Sequence, residues 1–573
     1  MNLVVLAGII ITVATGVPVY LQMRKHPAGL KILFFAEMWE RFSYYGMRGL
    51  LIFYLTRHFL FDDVTANGQY GTYTSLVYLL PLIGGALADR YLGTRKAIAY
   101  GAVLLVCGHG LMAAEGPPAR QFLVHDGARY EVVTGGEQKL LVNGTAYRYV
   151  PNRDGSIAFA DLPNAAPIPA TLAAGSYTKV EERNPVFVSL FYLALSLIIM
   201  GVGFLKPNIS TIVGQLYETN DPRRDPGFTL YYYGINLGAF WAAILCGLLG
   251  ETVGWWAGFG LAGLGMAAGL VVFLRGKPLL QGRGEPPDPG LLAGRVLGPL
   301  TREHVIYAGG LLGVGLVWLL VQRNAAVGLM LTAGSVIVLG YIGWYIAARC
   351  EARARADMIL ALFLIAGAVV FFTLFEQAGS SLNLFADRNT QLPQGFTAAQ
   401  TQSFNAGFIL LFAPVFAMLW TWLAKNKCDP HPLVKFGLGL VQVGAGFLAL
   451  VWAADFADSM YRLPLVFLAL AYLLHTTGEL CLSPVGLSEI TKLSVPALVS
   501  TMMALWFLSS SWAQYIGAFI AEQAGTETLG GQVTDPRAAL ETSLGVFNAI
   551  GWVGVACGLL FFLLSFLWRR RTV

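Results

Sequence analysis

The stretch that decides the fold is Glu37-Met-Trp-Glu40-Arg41-Phe42-Ser43-Tyr44-Tyr45-Gly46-Met47-Arg48, which lies within an apolar run from residue 31 to 59. Positions 37, 41, 44 and 48 are four, three and four residues apart, so they form one stripe along a helix face. An ionisable side chain in the middle of a bilayer costs roughly 2.5–3.5 kcal/mol by insertion scales. A stripe of this kind cannot face lipid, and it therefore predicts a water-filled cavity between packed helices.

The composition places this run in a membrane protein. The chain has 573 residues, of which 56% are hydrophobic and only 12% are charged, whereas soluble domains carry roughly 25% charged residues. The hydrophobicity extends from end to end, which excludes both a soluble enzyme and a soluble domain on a single anchor. The net charge of +5 comes from short basic clusters between apolar runs, a pattern typical of membrane topology and not of a nucleic-acid-binding face. The six scattered cysteines include no CxxC pair, so they indicate neither a zinc site nor a disulfide framework.

About fifteen segments are long enough to cross the roughly 30 Å hydrocarbon layer as helices, since each has roughly 20 mostly apolar residues. They lie near 3–22, 31–59, 70–89, 97–114, 186–216, 228–250, 253–274, 303–321, 326–348, 357–380, 402–424, 433–454, 463–485, 497–522 and 542–568.

The orientation follows from lysine and arginine in the loops, because such residues concentrate on the cytoplasmic side. With fifteen spans, every basic cluster falls on one side, from Arg24–Lys25 at the start to Arg569–Arg571 at the end. This predicts a cytoplasmic C-terminus and an extracytoplasmic N-terminus. Segment 3–22 is predicted to be a retained helix, although a cleaved signal peptide is the alternative. Its positive charges follow the apolar run instead of preceding it.

Two stretches do not look like membrane spans. Residues 115–184 contain alternating runs at 121–133, 139–150 and 156–162, with Asn143–Gly144 as a hairpin signal. The topology predicts that this small β-rich insertion lies outside the cytoplasm. Residues 276–300 are rich in glycine and proline and indicate a cytoplasmic linker, which divides the chain into two halves with similar numbers of spans.

Further charges stand inside later spans. Lys206 lies in the first half, and Glu376 and Glu479 lie in the second. Such residues are candidates for function by default, although a residue near a helix end, as Glu37 is, can extend its charge to water. A structural network of buried ion pairs is the other alternative. Cations in one half facing carboxylates in the other would fit a solute with a carboxylate at one end and an ammonium at the other, such as an amino acid or a short peptide.

These carboxylates also suggest proton coupling. A carboxylate that alternates between apolar surroundings and a neighbouring cation alternately binds and releases a proton. The membrane potential supplies about 2.3 kcal/mol per charge per 100 mV, so one or two protons suffice to drive uphill accumulation of a solute.

The run Glu37-x-x-Glu40-Arg41-Phe42-x-Tyr44-Tyr45-Gly46 resembles the ExxERFxYYG motif of the proton-dependent oligopeptide transporters, a branch of the major facilitator superfamily. Two later segments agree with this resemblance, namely Gly203-Phe-Leu-Lys206-Pro-Asn208 and Tyr232-Tyr233-Gly-Ile-Asn236-Leu-Gly238. The segment Gly85-Ala-Leu-Ala-Asp89-Arg90-Tyr-Leu-Gly93-Thr-Arg95-Lys96 is similar to the superfamily's loop between its second and third core helices. The likeness covers nearly the whole chain from about residue 31 to 568.

The resemblance implies an all-α polytopic membrane protein with the major facilitator fold, in which two six-helix bundles surround a site that opens alternately to each side. Segments 303–321 and 326–348 fit the pair of helices that bacterial members commonly insert between the bundles. The chain then divides into an extra N-terminal helix (1–30), a first bundle (31–275) containing the 115–184 insertion, a linker with two inserted helices (276–355) and a second bundle (356–573).

The resemblance also implies roles for individual residues. Arg48 and Lys206 would meet the peptide carboxylate, and Glu479 would meet the amino group. Arg48 with Glu376 would form an outer gate, and Lys206 with Glu479 an inner gate. The implied peptide-binding residues are Tyr44, Tyr45, Arg48, Tyr78, Lys206, Asn236, Asn405, Glu479, Trp506 and Ser510. The implied proton-coupling residues are Glu37, Glu40, Arg41, Lys206 and Glu376.

The expected function is proton-coupled symport of di- and tripeptides by alternating access, by a monomer in the cytoplasmic (inner) membrane. The alternative is a proton-coupled transporter of the same fold for another anionic solute, such as nitrate, a modified amino acid or a peptide-like drug. No cofactor beyond the coupling protons, no metal and no nucleic-acid partner is expected. The sequence contains no HExxH, no Walker loop and no GxSxG after a strand, so an enzyme is not expected.

Overall fold

The computed structural model describes residues 3–133, 138–152, 154–218 and 220–572. Within this part of the chain, each of the fifteen predicted spans is a helix. These helices are α1 (Leu3–Met23), α2 (Ala28–Phe53), α3 (Asp63–Leu79, followed by Pro81–Leu87), α4 (Thr94–Met112), α5 (Pro185–Gln215), α6 (Arg224–Thr252), α7 (Trp255–Arg275), α8 (Arg302–Leu320), α9 (Asn324–Arg349), α10 (Ala352–Phe375), α11 (Ser403–Lys425), α12 (Pro432–Trp452), α13 (Leu465–Leu493), α14 (Val499–Gln523) and α15 (Pro536–Thr572).

Twelve of the helices in the described residues are both long and apolar enough to cross a membrane on length and composition alone. The other three are α2, α4 and α14. Helix α2 carries five charged side chains, those of Lys31, Glu37, Glu40, Arg41 and Arg48, and α14 carries several serines and glutamines. All three pack extensively against neighbouring helices, which allows them to be more polar than a helix surrounded by lipid.

The helices form two groups of six, α2–α7 and α10–α15, which meet along two seams. Helix α3 packs against α14 at one seam, and α6 packs against α11 at the other. The inserted helix α9 contacts both α3 and α14, while its partner α8 packs on α5. At the opposite seam α1 contacts α6 and α11, and it is held to α6 by hydrogen bonds from Trp241 to Thr12 and between Thr15 and Tyr233. The additional helices therefore line both seams.

The insertion between α4 and α5 folds as a seven-stranded sheet, which confirms the prediction of a β-rich unit. Its strands are β1 (Arg120–His125), β2 (Ala128–Val133), β3 (Lys139–Val142), β4 (Thr145–Pro151), β5 (Ile157–Phe159), β6 (Thr171–Leu172) and β7 (Thr178–Glu182), in the order β6-β5-β4-β3-β2-β1-β7. Asn143 and Gly144 join β3 to β4 with φ values of 51° and 81°. Two positive φ values at the centre of a two-residue loop are typical of a type I′ hairpin turn.

The segment predicted to be a linker is ordered and bound to the first helix group. It contains a 3₁₀ turn (Lys277–Leu280), a short helix (Pro289–Ala293) and a two-stranded hairpin of Arg295–Leu297 with Leu300–Thr301. The Arg95 guanidinium donates to both oxygens of Glu285, at 2.8 and 3.0 Å, and this hydrogen bonding lowers the pKa of the Glu285 carboxyl. The side chains of Arg569–Arg571, counted above among the basic clusters, lie outside the described residues.

Glycines allow the helices of the first group to approach closely. A Cβ atom built at Gly238 of α6 would lie 2.1 Å from the carbonyl oxygen of Met38 in α2. A Cβ atom built at Gly84 would lie 2.1 Å from the carbonyl oxygen of Gly203 in α5. Both contacts involve backbone, which cannot move aside as a flexible side chain can. These two positions therefore fix α2, α3, α5 and α6 around the charged stripe.

We expect Gly238→Ala to destabilise the protein by about 1–3 kcal/mol, because overpacking at a backbone contact forces two elements apart. The matched control is Gly334→Ala in α9, where a Cβ atom meets nothing within 4 Å. Both changes replace a helical glycine with alanine and gain the same helix propensity. The difference between the two unfolding midpoints therefore measures the cost of the contact with Met38. The measurement is thermal unfolding of the detergent-purified variants, and equal midpoints would show that α2 and α6 can separate freely.

Candidate binding cavity between the two helix groups

A cavity of about 180 Å³ lies between the two helix groups. It is smaller than the roughly 300–1,000 Å³ typical of pockets for drug-sized ligands, so it suits a small solute. Both groups contribute to its wall, together with the segments that follow α10 and precede α11. Its lining residues are Tyr45, Arg48, Tyr78, Tyr232, Ile235, Asn236, Ala239, Ala243, Phe372, Phe375, Glu376, Ala378, Gln402, Asn405, Ala406, Ile409, Tyr472, His475 and Glu479.

Arg48 supplies the cation of the cavity. Its guanidinium forms an ion pair with Glu376, which follows α10 in the second group, and its Nε donates to the Tyr70 hydroxyl at 2.6 Å. Arg48 and Glu376 are only 4% and 9% exposed, so little water reaches them. Gly379 leaves space for this cluster, because a Cβ atom there would collide with the Tyr70 hydroxyl. The pair therefore joins the two groups through a buried, geometrically defined contact.

Glu479 supplies a carboxylate from the second helix group. The Nδ2 atom of Asn405 lies 3.4 Å from Glu479 Oε2 and donates to Thr476 Oγ1 at 2.9 Å. Asn405 is on α11 and Glu479 is on α13, so this part of the wall belongs to the second group. One cavity is thus bounded by a cation of the first group and a carboxylate of the second.

The other charges of the stripe pair locally. Arg41 Nε lies 2.8 Å from Glu37 Oε1 and 3.1 Å from Glu40 Oε2. Among the described residues, Glu40 Oε1 has neither a hydrogen-bond partner nor an ion-pair partner. The cluster therefore retains a buried carboxylate oxygen that can accept a further hydrogen bond.

Lys206, predicted to form an inner gate with Glu479, lies over the ring of Tyr78 in this conformation. Its ammonium lies 3.7 Å from the centroid of the Tyr78 ring, and it interacts electrostatically with Arg41, Glu40 and Glu376. In the part of the chain that the structure describes, Lys206 and Glu479 form no ion pair. The predicted pair is thus not formed in this conformation, because Lys206 is held in the first group by Tyr78 and the acidic stripe.

The structure brings together seven of the predicted site residues in the cavity wall, namely Tyr45, Arg48, Tyr78, Asn236, Glu376, Asn405 and Glu479. The predicted peptide-binding residues Tyr44, Lys206, Trp506 and Ser510 are not among the lining residues in this conformation. Tyr44 is 1% exposed and packs edge to face on Tyr45. Ser510 donates to the carbonyl of Trp506 within α14.

Several residues of the site belong to no pattern that sequence reasoning could use. Tyr70 holds Arg48 from α3, and Tyr232, Gln402 and Tyr472 line the cavity. Gln402 Nε2 is buried and has no hydrogen-bond partner among the described residues, so a solute can accept its hydrogen bond. Single tyrosines and glutamines carry no pattern that separates them from ordinary packing residues. Of these residues, only Tyr232 lies within a motif, because it is the first residue of the segment from Tyr232 to Gly238.

The helix groups are joined at the end of the bundle that carries the β insertion, which we call the insertion side. Arg57 pairs with Asp387 across the groups, and Arg388 Nη2 donates to Asp63 Oδ1 at 2.8 Å. Asn383 Nδ2 also donates to the carbonyl of Gly49 at 3.0 Å. The structure is therefore closed between the cavity and the insertion side.

The cavity wall carries charged, amide and aromatic groups. Among the described residues, no group of three or more His, Cys, Asp or Glu side chains is placed to hold a metal ion. The cavity offers a guanidinium, two carboxylates, amides and tyrosine rings. Such groups can form ion pairs and hydrogen bonds with a small charged solute.

Comparisons with known proteins agree with this geometry. The model of the POT family matches residues 95–534. The chain is 33% identical over 514 residues to the uncharacterized transporter YclF of Bacillus subtilis, covering 87% of this chain and 88% of that protein. It is 28% identical to a dipeptide and tripeptide permease A of Edwardsiella piscicida, covering 97% of each. A solved mutant of peptide transporter POT with alafosfalin superposes with a TM-score of 0.70 at 31% identity, covering 94% of each chain.

We expect Tyr70→Phe to lower stability by about 1–3 kcal/mol, because it leaves the buried Arg48 Nε–H without an acceptor. The matched control is Tyr73→Phe on the same helix, whose buried hydroxyl has no partner among the described residues. Its loss should be neutral or slightly stabilising. Thermal unfolding of both variants in one detergent checks this, and equal midpoints would mean that Tyr70 does not support Arg48.

Proposed function

The chain belongs to the POT family, and from this premise we propose that it carries di- and tripeptides across the cytoplasmic membrane together with protons. The observation that carries the proposal is that Arg48 of the first helix group and Glu479 of the second both line one small cavity. A peptide has a carboxylate at one end and an ammonium at the other, and its two termini match these two side chains. The protein is then a transporter and not an enzyme, and it needs no cofactor beyond the coupling protons.

The same proposal assigns an orientation. The insertion side faces outward, and the basic loops, including Arg95 and the ordered linker, face the cytoplasm. His26, just after α1, is hydrogen-bonded to Tyr217 beyond α5 at 2.8 Å, and α5 ends on the linker side. The start of α1 then lies on the outer side, with the N-terminus extracytoplasmic and the C-terminus cytoplasmic. We propose that this single chain is the working unit in the inner membrane.

The transport cycle rests on two charge pairs that alternate. Arg48 and Glu376 form the outer gate, which is closed in this conformation. Lys206 and Glu479 form the inner gate when the inner side closes. A proton on Glu376 releases Arg48, which then binds the peptide carboxylate, and the Glu37–Glu40–Arg41 cluster passes a proton to or from the neighbourhood of Lys206. Each step replaces one partner of a buried charge with another and leaves no charge unpaired.

We expect proteoliposomes with an inward proton gradient to accumulate dialanine. Lys206→Ala should abolish gradient-driven uptake and retain peptide exchange, because the variant loses a charge of the coupling cluster but keeps Arg48 and Glu479. Labelled dialanine uptake and counterflow measure the two properties separately. Absence of both in the wild type would overturn the proposed function, and uptake that persists in Lys206→Ala would remove Lys206 from coupling.

We also expect Glu479→Gln to weaken peptides that have a free amino terminus, since an amide binds an ammonium less strongly than a carboxylate does. The loss should be roughly 10- to 100-fold in apparent affinity, as for a charge-assisted hydrogen bond worth about 1.5–3 kcal/mol. N-acetylated dialanine should compete poorly with the wild type. If nitrate or another simple anion competes better than dialanine, the protein is instead a transporter of anionic solutes.

A further inference from the structure

The β insertion is fixed to the first helix group. Arg183, just after β7, donates to the carbonyls of Phe59 and Leu60 at 2.6 and 2.8 Å. The Ala119 amide, just before β1, donates to the His58 carbonyl at 2.8 Å. Both ends of the insertion thus bind the loop between α2 and α3. The sheet must move as one unit with the outer end of that group.

A hairpin of the second group enters the core of this sheet. The segment between α14 and α15 forms strands Thr528–Leu529 and Gln532–Val533, and we call residues 528–533 the α14–α15 hairpin. Leu529 is 1% exposed and belongs to the same buried apolar cluster as Leu123, Leu140 and Ile157 of the insertion. The sheet core is therefore completed by a leucine from the other half of the molecule.

Polar contacts surround this leucine. The Gly530 amide donates to Gln121 Oε1 at 2.6 Å, and Gln138 Nε2 donates to the Val533 carbonyl at 3.3 Å. Lys179 forms an ion pair with Glu527 at the edge of the contact. The hairpin is held by an apolar anchor with hydrogen bonds on both sides, which is the arrangement of a specific interface.

The hairpin also stands over the outer seam. A cavity of about 600 Å³ is lined by Gly530–Val533 together with Arg57, Asp387 and Arg388. These three charged residues form the ion pairs that join the groups on the insertion side. The contact between hairpin and sheet is therefore the outermost of the layers that close this side, above the Arg57–Asp387 and Arg388–Asp63 pairs and the Arg48–Glu376 pair.

We propose that the β insertion is an outer latch, which holds the α14–α15 hairpin through Leu529 while the outer side is closed and releases it when that side opens. This inference rests on the proposed alternating access, because the two groups must separate at their outer ends to admit a peptide. The sheet is anchored to one group and Leu529 to the other, so that separation withdraws the leucine from the sheet. The latch thereby biases the transporter toward the conformation seen here.

The test uses a cysteine reporter that requires no substrate. Ala378→Cys places a thiol in the central cavity beside Glu376, and a membrane-impermeant thiol reagent added to spheroplasts reaches it only when the outer side opens. The parent with its six native cysteines supplies the background rate. Leu529→Ala should raise the labelling rate roughly three- to tenfold, because part of the free energy that holds the closed state is lost.

The matched control is Val150→Ala, since Val150 is on the same sheet but is 49% exposed and does not belong to the buried apolar cluster that contains Leu529. It should leave labelling unchanged. Equal labelling of Leu529→Ala and Val150→Ala would overturn the latch. The labelling comparison does not depend on transport. If dialanine uptake is absent, the proposed function is wrong, but the labelling comparison still tests the latch.

A second experiment, with a double cysteine variant, tests the latch even if Leu529→Ala does not fold. Lys179→Cys with Glu527→Cys is joined by a bifunctional methanethiosulfonate reagent, which fixes the hairpin to the sheet without disturbing Leu529. Dialanine counterflow should stop after cross-linking and return after dithiothreitol. Unchanged counterflow in the cross-linked protein would show that the hairpin and the sheet stay together throughout the cycle, and the latch would be wrong.

Discussion

The pair of Arg48 and Glu376, buried in an apolar protein interior between two helix groups, is the contact on which the rest of the structure depends. Removing one partner of a buried ion pair costs roughly 3–5 kcal/mol, because the other charge is left uncompensated. The two groups therefore cannot separate at this point until each charge has a substitute. In the proposed cycle, a proton on Glu376 is one substitute, and a peptide carboxylate beside Arg48 is the other. At this pair, proton binding and solute binding would then be linked by charge compensation.

The same rule explains how charge is distributed over the molecule. On the insertion side, the pairs Arg57–Asp387 and Arg388–Asp63 repeat the arrangement of a cation matched with a carboxylate of the other group. Toward the linker side, Lys206 stays with the Tyr78 ring and the acidic stripe of its own group. The closed side is thus the side where charges are matched across the groups. The closed conformation of the insertion side therefore coincides with charge pairing between the two helix groups.

The sequence predicted those features that depend on neighbouring residues. The helical stripe from Glu37 to Arg48, the fifteen helices and the Asn143–Gly144 turn all follow from periodicity or from local backbone preference. Sequence reasoning missed the contacts between distant segments, such as Tyr70 with Arg48 and Leu529 within the sheet of residues 120–182. A single sequence contains no pattern that indicates that Leu529 completes the apolar core of a sheet more than 300 residues earlier in the chain. The contact of the linker residue Glu285 with Arg95 was missed for the same reason, since glycines and prolines predict turns but not a distant partner.

Two helices outside the two groups of six, α1 and α9, each contact both sides of a seam. Helix α9 contacts α3 and α14, and Val5 and Ile11 of α1 pack against an apolar cluster shared by α6 and α11. A contact that exists in only one conformation shifts the equilibrium by its own free energy. Helix α1 is hydrogen-bonded to α6 at Thr12 and Thr15, so in the proposed cycle it would move with the first group and its packing on α11 would change. The contacts of α1 and α9 would then contribute to the relative free energies of the conformations, while the charged pairs between the groups would control the exchange between them.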